Sequence, residues 1–134
     1  MIDKLILLFI KNKGVIYTLF ALITIAILLL TLMPPDNLGS HRIFRYDKLG
    51  HFMMFFCWTL AYGLFSFVKK GPEKTRIIAI FFIGSLFGIT IEVVQELMPY
   101  GRSGNIYDAI ADILGSLSAA IVLNLIKKTV LRKT

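Results

Sequence analysis

The stretch VIYTLFALITIAILLLTLM, from Val15 to Met33, contains no charged residue. A helix rises 1.5 Å per residue, so about 20 apolar residues cross the hydrocarbon core of a bilayer. The stretch has nearly that length, and the helix-stopping pair Pro34 and Pro35 follows it directly. It is long for the apolar segment of a signal peptide, and no A-x-A cleavage pattern follows it. We therefore predict a retained membrane-spanning helix.

The composition of the whole chain is that of an integral membrane protein. Of its 134 residues, 57% are hydrophobic and 17% are charged, whereas soluble domains carry about 25% charged residues. The net charge of +7 can indicate a nucleic-acid partner. Here, however, lysine and arginine lie at the ends of apolar segments, so we attribute the charge to membrane topology and expect the lipid bilayer, not nucleic acid, as the partner. The length predicts a single domain over residues 1–134.

Three further apolar segments follow the first. The segments 77–91 and 113–126 are too short to span a membrane by themselves. The first of them reaches spanning length only by including Glu92, and the second only by including Asp108 and Asp112. We predict an all-α fold, an integral membrane four-helix bundle with helices over residues 15–33, 51–68, 76–98 and 106–126.

Lysine and arginine also predict the orientation of the bundle. In a four-span protein the N-terminus, the loop 69–76 and the C-terminal tail lie on one side of the membrane, and these segments carry 11 of the 15 basic residues. The positive-inside rule therefore predicts that both termini are cytoplasmic. Six of the eight acidic residues and both histidines then lie toward the opposite face. Polar chemistry is thus expected at the extracytoplasmic end.

Helical spacing places several of these polar residues on shared faces. Asp47 and His51 are four positions apart, as are Asp108 and Asp112, and Gln95 lies close to Glu92 on one helix face. If the helices converge, they form a polar pocket whose predicted members are Asp47, Lys48, His51, Glu92, Gln95, Arg102, Asp108 and Asp112.

Small residues on the last two helices are expected to allow this convergence. Gly84 and Gly88 are separated by three residues, as are Gly115 and Ala119, and such pairs let membrane helices approach closely. Asn105 precedes the fourth helix and is expected to cap its N-terminus. We predict that these four small residues form the helix-packing contacts.

The sequence leaves open what the polar residues do. The pair of Asp47 and His51 either anchors a helix at the membrane interface, or transfers protons or binds a ligand. Glu92 with Gln95 either clamps the helices together or belongs to a functional site. Arg102 either neutralises a nearby carboxylate or binds an anionic head group.

Metal and cysteine chemistry are not expected from the sequence. His51 with several carboxylates could hold a divalent ion, but no HExxH or similar spacing is present. Cys57 is the single cysteine, and no CxxC pattern exists. We therefore predict no metal site and no cofactor.

Three motifs resemble a known family. DKLGHFMMFFCWTL (Asp47 to Leu60), IEVVQ (Ile91 to Gln95) and GRSGNIYDAIADILG (Gly101 to Gly115) occur in this order. They are similar to the pattern DKxxHFxxF, then ExxQ, then R, then DxxxNxxG of the VanZ-like family of small membrane proteins. The resemblance covers about half of the chain, and its matching positions are Asp47, Lys48, His51, Phe52, Phe55, Glu92, Gln95, Arg102, Asp108 and Gly115.

The chain departs from this family pattern at two positions. Asp112 stands where the family usually has Asn, which adds a carboxylate to the expected pocket. Ala119 stands where the family often has a further glycine. The second change is mild, because alanine also allows close helix packing.

The resemblance implies a multi-pass protein of the bacterial cytoplasmic (inner) membrane. The founding member of the family is associated with low-level resistance to the glycopeptide teicoplanin. The leading expectation is a cell-envelope protein whose extracytoplasmic polar pocket binds an envelope lipid, a cell-wall component or a partner protein. Two alternatives are an enzyme that acts on a lipid-linked envelope substrate by acid–base chemistry, and a structural subunit of a membrane complex.

The predicted orientation can be tested with reporters fused after Thr134. A fluorescent protein that matures only in the cytoplasm should fluoresce in this fusion, because the tail is expected to be cytoplasmic. Alkaline phosphatase, which is active only outside the cytoplasm, should be inactive in the same position. The reverse pattern would place the C-terminus outside.

Overall fold

A computed structural model describes residues 12–33, 47–99 and 103–132. These ranges contain four helices and no strand: α1 (Lys13–Leu32), α2 (Asp47–Lys70), α3 (Ile77–Leu97) and α4 (Ile106–Leu131). All four are long and apolar enough to cross a membrane. The predicted all-α four-helix membrane bundle is therefore confirmed.

Two helices extend well beyond the uncharged segments of the sequence. α2 begins at Asp47 rather than 51 and continues to Lys70, and α4 continues to Leu131 rather than 126. Lysines occupy the last turn of both helices, where their charge complements the negative end of the helix dipole. Backbone hydrogen bonding continues beyond the end of the apolar run, so a search for uncharged residues underestimates the length of these helices.

The helices alternate in direction, which gives the bundle two chemically different ends. The C-terminus of α1 lies beside that of α3, because Gln95 Nε2 donates a hydrogen bond to the carbonyl oxygen of Thr31. We call this the histidine end, since His51 also lies there, in the first part of α2. We call the opposite end, which contains Lys70 and the connection 71–76, the lysine end.

α4 is the central helix of the polar side of the bundle. It makes its most extensive contacts with α2 and the next most extensive with α3, while α1 lies mainly against α2. The contact between α1 and α2 is aromatic: the ring of Phe20 lies 5.6 Å from that of Trp58 and 5.2 Å from that of Phe65. Trp58 Nε1 also donates a hydrogen bond to Thr24 Oγ1 at 3.0 Å. α1 is thus held at the side of the bundle, and α2, α3 and α4 meet one another directly.

Glycines lie where these three helices come closest. A Cβ added at Gly115 would collide with the backbone oxygen of Phe52 and lie 3.0 Å from the backbone nitrogen of Phe56. A Cβ at Gly88 would lie 2.6 Å from the Cβ of Asp112. Real Cβ atoms do not approach so closely, so α4 can lie against α2 and α3 only because these side chains are missing.

The other two predicted packing residues also face neighbouring helices. A Cβ at Gly84 would collide with Thr59 Oγ1, which itself donates a hydrogen bond to Ser116 Oγ at 3.0 Å. Ala119 is fully buried. Gly84 and Gly88 therefore line the α3–α4 contact, with a hydroxyl pair beside them.

Large apolar side chains cover the outer surface of the helices. On α3, Ile78, Phe82 and Leu86 are each more than 60% exposed. A soluble protein rarely leaves a continuous apolar surface of this kind open to water. In a bilayer the same side chains contact lipid, which fits the four candidate membrane spans.

Replacing Gly115 with alanine should destabilise the bundle. The new methyl group would meet backbone atoms of α2, which can move only if the helices separate. We expect the free energy of unfolding to fall by about 1–3 kcal/mol, as for overpacked cores. Thermal unfolding in one detergent measures it, with Gly50→Ala as the control because a Cβ at Gly50 meets nothing within 4 Å. Equal melting temperatures for the two variants would contradict the close approach at Gly115.

Candidate polar site at the histidine end

The site is centred on the imidazole of His51. Its Nδ1–H donates to Asp112 Oδ1 on α4 at 3.0 Å. The same nitrogen lies 3.4 Å from Glu92 Oε1 on α3. Each of the three side chains is less than 10% exposed. We call these three residues, supplied by three helices, the histidine cluster.

Small residues explain how the cluster closes. Asp112 enters the space between α3 and α4 opposite Gly88, which has no side chain to exclude it. Gly115, about one turn further along α4, brings that helix against the backbone of α2 near His51. The packing glycines therefore make the cluster possible, because side chains at Gly88 and Gly115 would keep the helices too far apart for His51, Glu92 and Asp112 to meet.

An ion pair connects the cluster with the surface. Lys48 Nζ lies 3.7 Å from Asp108 Oδ1, and the lysine side chain is 59% exposed while the aspartate side chain is 7% exposed. Lys48 Nζ also lies 5.9 Å from the centre of the Tyr107 ring. Asp108 lies in the first turn of α4, where the helix dipole favours a negative charge. The pair forms the outer rim of the site.

Glu92 has a second contact that the sequence did not suggest. Its Oε2 accepts a hydrogen bond from the backbone N–H of Asn105 at 2.9 Å. One turn later, Glu96 Oε2 accepts from the N–H of Gly104 at 2.8 Å. Two glutamates on the exit turn of α3 thus hold the segment that leads into α4. The signal in the sequence was their spacing of four residues just before a short, glycine-containing connection.

The predicted N-terminal cap of α4 is confirmed. Asn105 Oδ1 accepts a hydrogen bond from the N–H of Tyr107 at 3.0 Å. The cap and the contact between Glu92 and Asn105 fix the start of α4, and thereby the positions of Asp108 and Asp112 along that helix.

Gln95 lies at the same end of the bundle but contacts a different helix. Its Nε2 donates to the carbonyl oxygen of Thr31 in α1 at 2.8 Å, and the side chain is buried. The carbonyl groups in the last turn of a helix have no intrahelical partner. For Thr31 the residue four positions ahead is Pro35, which has no N–H to donate. Gln95 therefore satisfies an acceptor of α1.

Two predicted members of the pocket cannot be placed. Arg102 lies outside the described residues, and of Asp47 the structure describes only the helical backbone. Their roles stay predictions from the sequence. Lys48, His51, Glu92, Asp108 and Asp112 are the predicted members that the structure brings together.

The histidine cluster has two chemical capabilities. An imidazole between two carboxylates can exchange a proton with either of them. The same residues offer one nitrogen and two oxygen atoms that all lie within 4.8 Å of one another, and such donors can hold a divalent cation. The sequence predicted no metal because no local motif is present, but donors from three separate helices leave no such motif.

Four apolar helices of spanning length, with a buried histidine and carboxylates at one end, define a small multi-pass membrane protein. The family model described as VanZ/LLP1 matches residues 7–127, which is nearly the whole chain. The chain therefore belongs to the VanZ/LLP1 family, and the resemblance seen in its motifs is confirmed. No curated protein and no solved structure is significantly similar to it.

Replacing His51 with leucine should destabilise the protein much more than replacing Lys48 with methionine. Removing His51 leaves two buried carboxylates without their shared partner, and breaking such a buried pair costs about 3–5 kcal/mol. Lys48 is largely exposed, and exposed ion pairs contribute about 1 kcal/mol or less. Unfolding of both variants in the same detergent measures the difference. A His51→Leu protein as stable as the wild type would show that the cluster does not hold the helices together.

Proposed function

We propose that the protein binds the polar group of an envelope lipid, a cell-wall component or a partner protein at the histidine end of the bundle. This end faces away from the cytoplasm in the orientation that the basic residues favour, and the membrane is the bacterial cytoplasmic membrane. The contact of His51 with carboxylates from two other helices carries the proposal. The association of the family's founding member with glycopeptide resistance is consistent with a ligand of the cell envelope.

The energetic cost of the cluster supports a role in binding. A charged side chain costs about 2.5–3.5 kcal/mol to insert at the middle of a membrane helix, and less toward the helix ends, where the histidine cluster lies. Apolar residues would hold the same three helices together without that cost. Ionisable residues inside a membrane therefore indicate function more often than packing.

The chemistry of the site defines the ligand group that it suits. Glu92, Asp108 and Asp112 supply oxygen atoms that accept hydrogen bonds from hydroxyl, amine or amide groups. Lys48, at the exposed rim, supplies a donor and a positive charge for a phosphate or carboxylate. Head groups of envelope lipids and cell-wall precursors combine both kinds of group.

A second candidate function is supported by the position of the imidazole. His51 lies between two carboxylates, and a carboxylate that holds an imidazole in one orientation is a common element of acid–base catalysis. In this alternative the protein is an enzyme, and His51 with Glu92 transfers protons to and from a lipid-linked substrate. Formation of a product from such a lipid would distinguish catalysis from binding alone.

Native mass spectrometry of the wild type, Glu92→Gln and Glu96→Gln tests the proposal. Both variants remove one carboxylate from α3, but Glu96 is exposed and contacts Gly104 rather than His51. We expect the wild type and Glu96→Gln, released from mild detergent, to retain a bound envelope molecule. Glu92→Gln should have lost it, because its charge at the cluster is gone.

Two results would contradict this proposal. The first is that the wild type and both variants are equally free of bound molecules when envelope lipids are supplied. If Glu92→Gln is also less heat-stable, that result favours the structural-subunit alternative. Equal retention by all three proteins would show that the bound molecule does not use the cluster.

A further inference from the structure

A second polar site lies at the lysine end, far from the histidine cluster along the bundle. A cavity of about 220 Å³ opens between the end of α2 and the start of α3. Its polar lining comes from both helices and from the connection between them, and includes Tyr62, Ser66, Lys70, Lys74, Thr75 and Arg76. Part of its wall is apolar and is formed by α3.

The charge of this cavity has one sign. Three cationic side chains line it, those of Lys70, Lys74 and Arg76, and no acidic residue does. Among the described residues of the lysine end, Glu73 is the single carboxylate, and it is exposed. The cavity therefore attracts anions.

A serine hydroxyl in the cavity wall is available to a ligand. Ser66 lines the cavity and is 7% exposed as a residue, but its hydroxyl oxygen is not among the fully buried unpartnered atoms of the described residues, so we take it to open into the cavity. Polar groups with little access to water are nearly always hydrogen-bonded, and the hydroxyls of Thr31 and Thr75, for example, donate to backbone carbonyls four residues earlier. A ligand oxygen in the cavity could accept a hydrogen bond from the Ser66 hydroxyl.

The start of α3 adds further attraction for an anion. The first backbone N–H groups of a helix have no intrahelical acceptor and carry a partial positive charge. The side chain of the capping residue, Arg76, makes no capping hydrogen bond, and the first turn of α3 has no acidic residue. Because Arg76 and Ala79 line the cavity, the positive end of the α3 dipole lies beside the same space. The N–H of Ala79 itself already donates to the carbonyl oxygen of Arg76.

The connection that carries two of the cations is held in place. Gly71 has a φ of +87°, a left-handed conformation that glycine adopts readily. Lys127 Nζ on α4 donates to the carbonyl oxygen of Thr75 at 2.7 Å, and Thr75 Oγ1 donates to the carbonyl oxygen of Gly71 at 2.8 Å. The backbone on either side of Thr75, which carries Lys74 and Arg76, is thus fixed before any ligand arrives.

We propose that this cavity binds the phosphate group of an anionic phospholipid. The three cations, the Ser66 hydroxyl and the first turn of α3 would hold the phosphate. The apolar wall of the cavity includes Ile83, and Phe82 and Leu86 are exposed further along α3, so acyl chains can continue from the head group along this helix. That continuity favours a lipid over free inorganic phosphate. The proposal is independent of the function assigned to the histidine end.

Native mass spectrometry of the full chain with added phosphatidylglycerol or phosphatidylcholine tests it. The variant Lys74→Gln/Arg76→Gln removes two charges from the cavity. The control Lys69→Gln/Lys128→Gln removes two charges from the same end of the bundle, at residues that do not line the cavity. The melting temperatures of both variants are measured alongside.

We expect the wild type and the control to bind phosphatidylglycerol in preference to phosphatidylcholine. The cavity variant should bind phosphatidylglycerol about 30-fold more weakly, because each basic residue typically contributes several-fold to the binding of an anionic lipid. If that variant does not fold, Ala79→Glu replaces it. This substitution places a carboxylate at an exposed residue of the cavity wall and should abolish the preference for phosphatidylglycerol.

Three outcomes would overturn the proposal. Equal loss of binding in the cavity variant and the control would mean that the general positive charge of this end attracts the lipid. Absence of any preference for phosphatidylglycerol in the wild type would exclude a site for an anionic head group. Stoichiometric binding of inorganic phosphate, with no preference between the lipids, would identify the ion rather than the lipid as the ligand.

Discussion

The contact between the imidazole of His51 and two carboxylates from other helices is the interaction on which the polar half of this bundle depends. A lipid bilayer offers no hydrogen-bond partners, so ionisable groups within it must satisfy one another or bind something polar. Here the ionisable groups satisfy one another: α2 supplies His51, α3 supplies Glu92 and α4 supplies Asp112. The three helices therefore have to converge at one end, and Gly88 and Gly115 are the positions where their close approach requires a missing side chain. The close packing of the three helices and the contact among their ionisable side chains thus both follow from the need to satisfy these groups inside the bilayer.

The opposite end of the bundle is organised by charge of the other sign. Lysines and arginines lie around the connection of α2 and α3 and along the last turns of α2 and α4. Such residues favour the cytoplasmic side of a membrane and its anionic lipids. An acidic site at one end and a basic cavity at the other give this small protein two places where polar molecules could be recognised, one on each face of the membrane.

Much of the fold could be predicted from the sequence, because each helix had to reach spanning length. That requirement forced Glu92, Asp108 and Asp112 into helices, and helical spacing then placed Asp108 and Asp112 on one face. The sequence could not show which helix each face meets. Gln95 was grouped with Glu92, but it contacts Thr31 of α1, since neighbours depend on the order of the helices around the bundle. The basic cavity was missed because it depends on the turn at Gly71 and on the approach of Lys127 to Thr75.

The measurement that most directly tests the central claim is the nitrogen-15 NMR spectrum of the histidine side chains in detergent micelles. The chain has two histidines, so His41→Gln leaves the His51 signals alone. The contact with Asp112 predicts a slowly exchanging Nδ1 proton at His51 that is shifted strongly downfield, as in a hydrogen bond to a carboxylate. That signal should change in Asp112→Asn and persist in Glu96→Gln. A His51 spectrum like that of a free imidazole in water, unchanged by Asp112→Asn, would contradict the account.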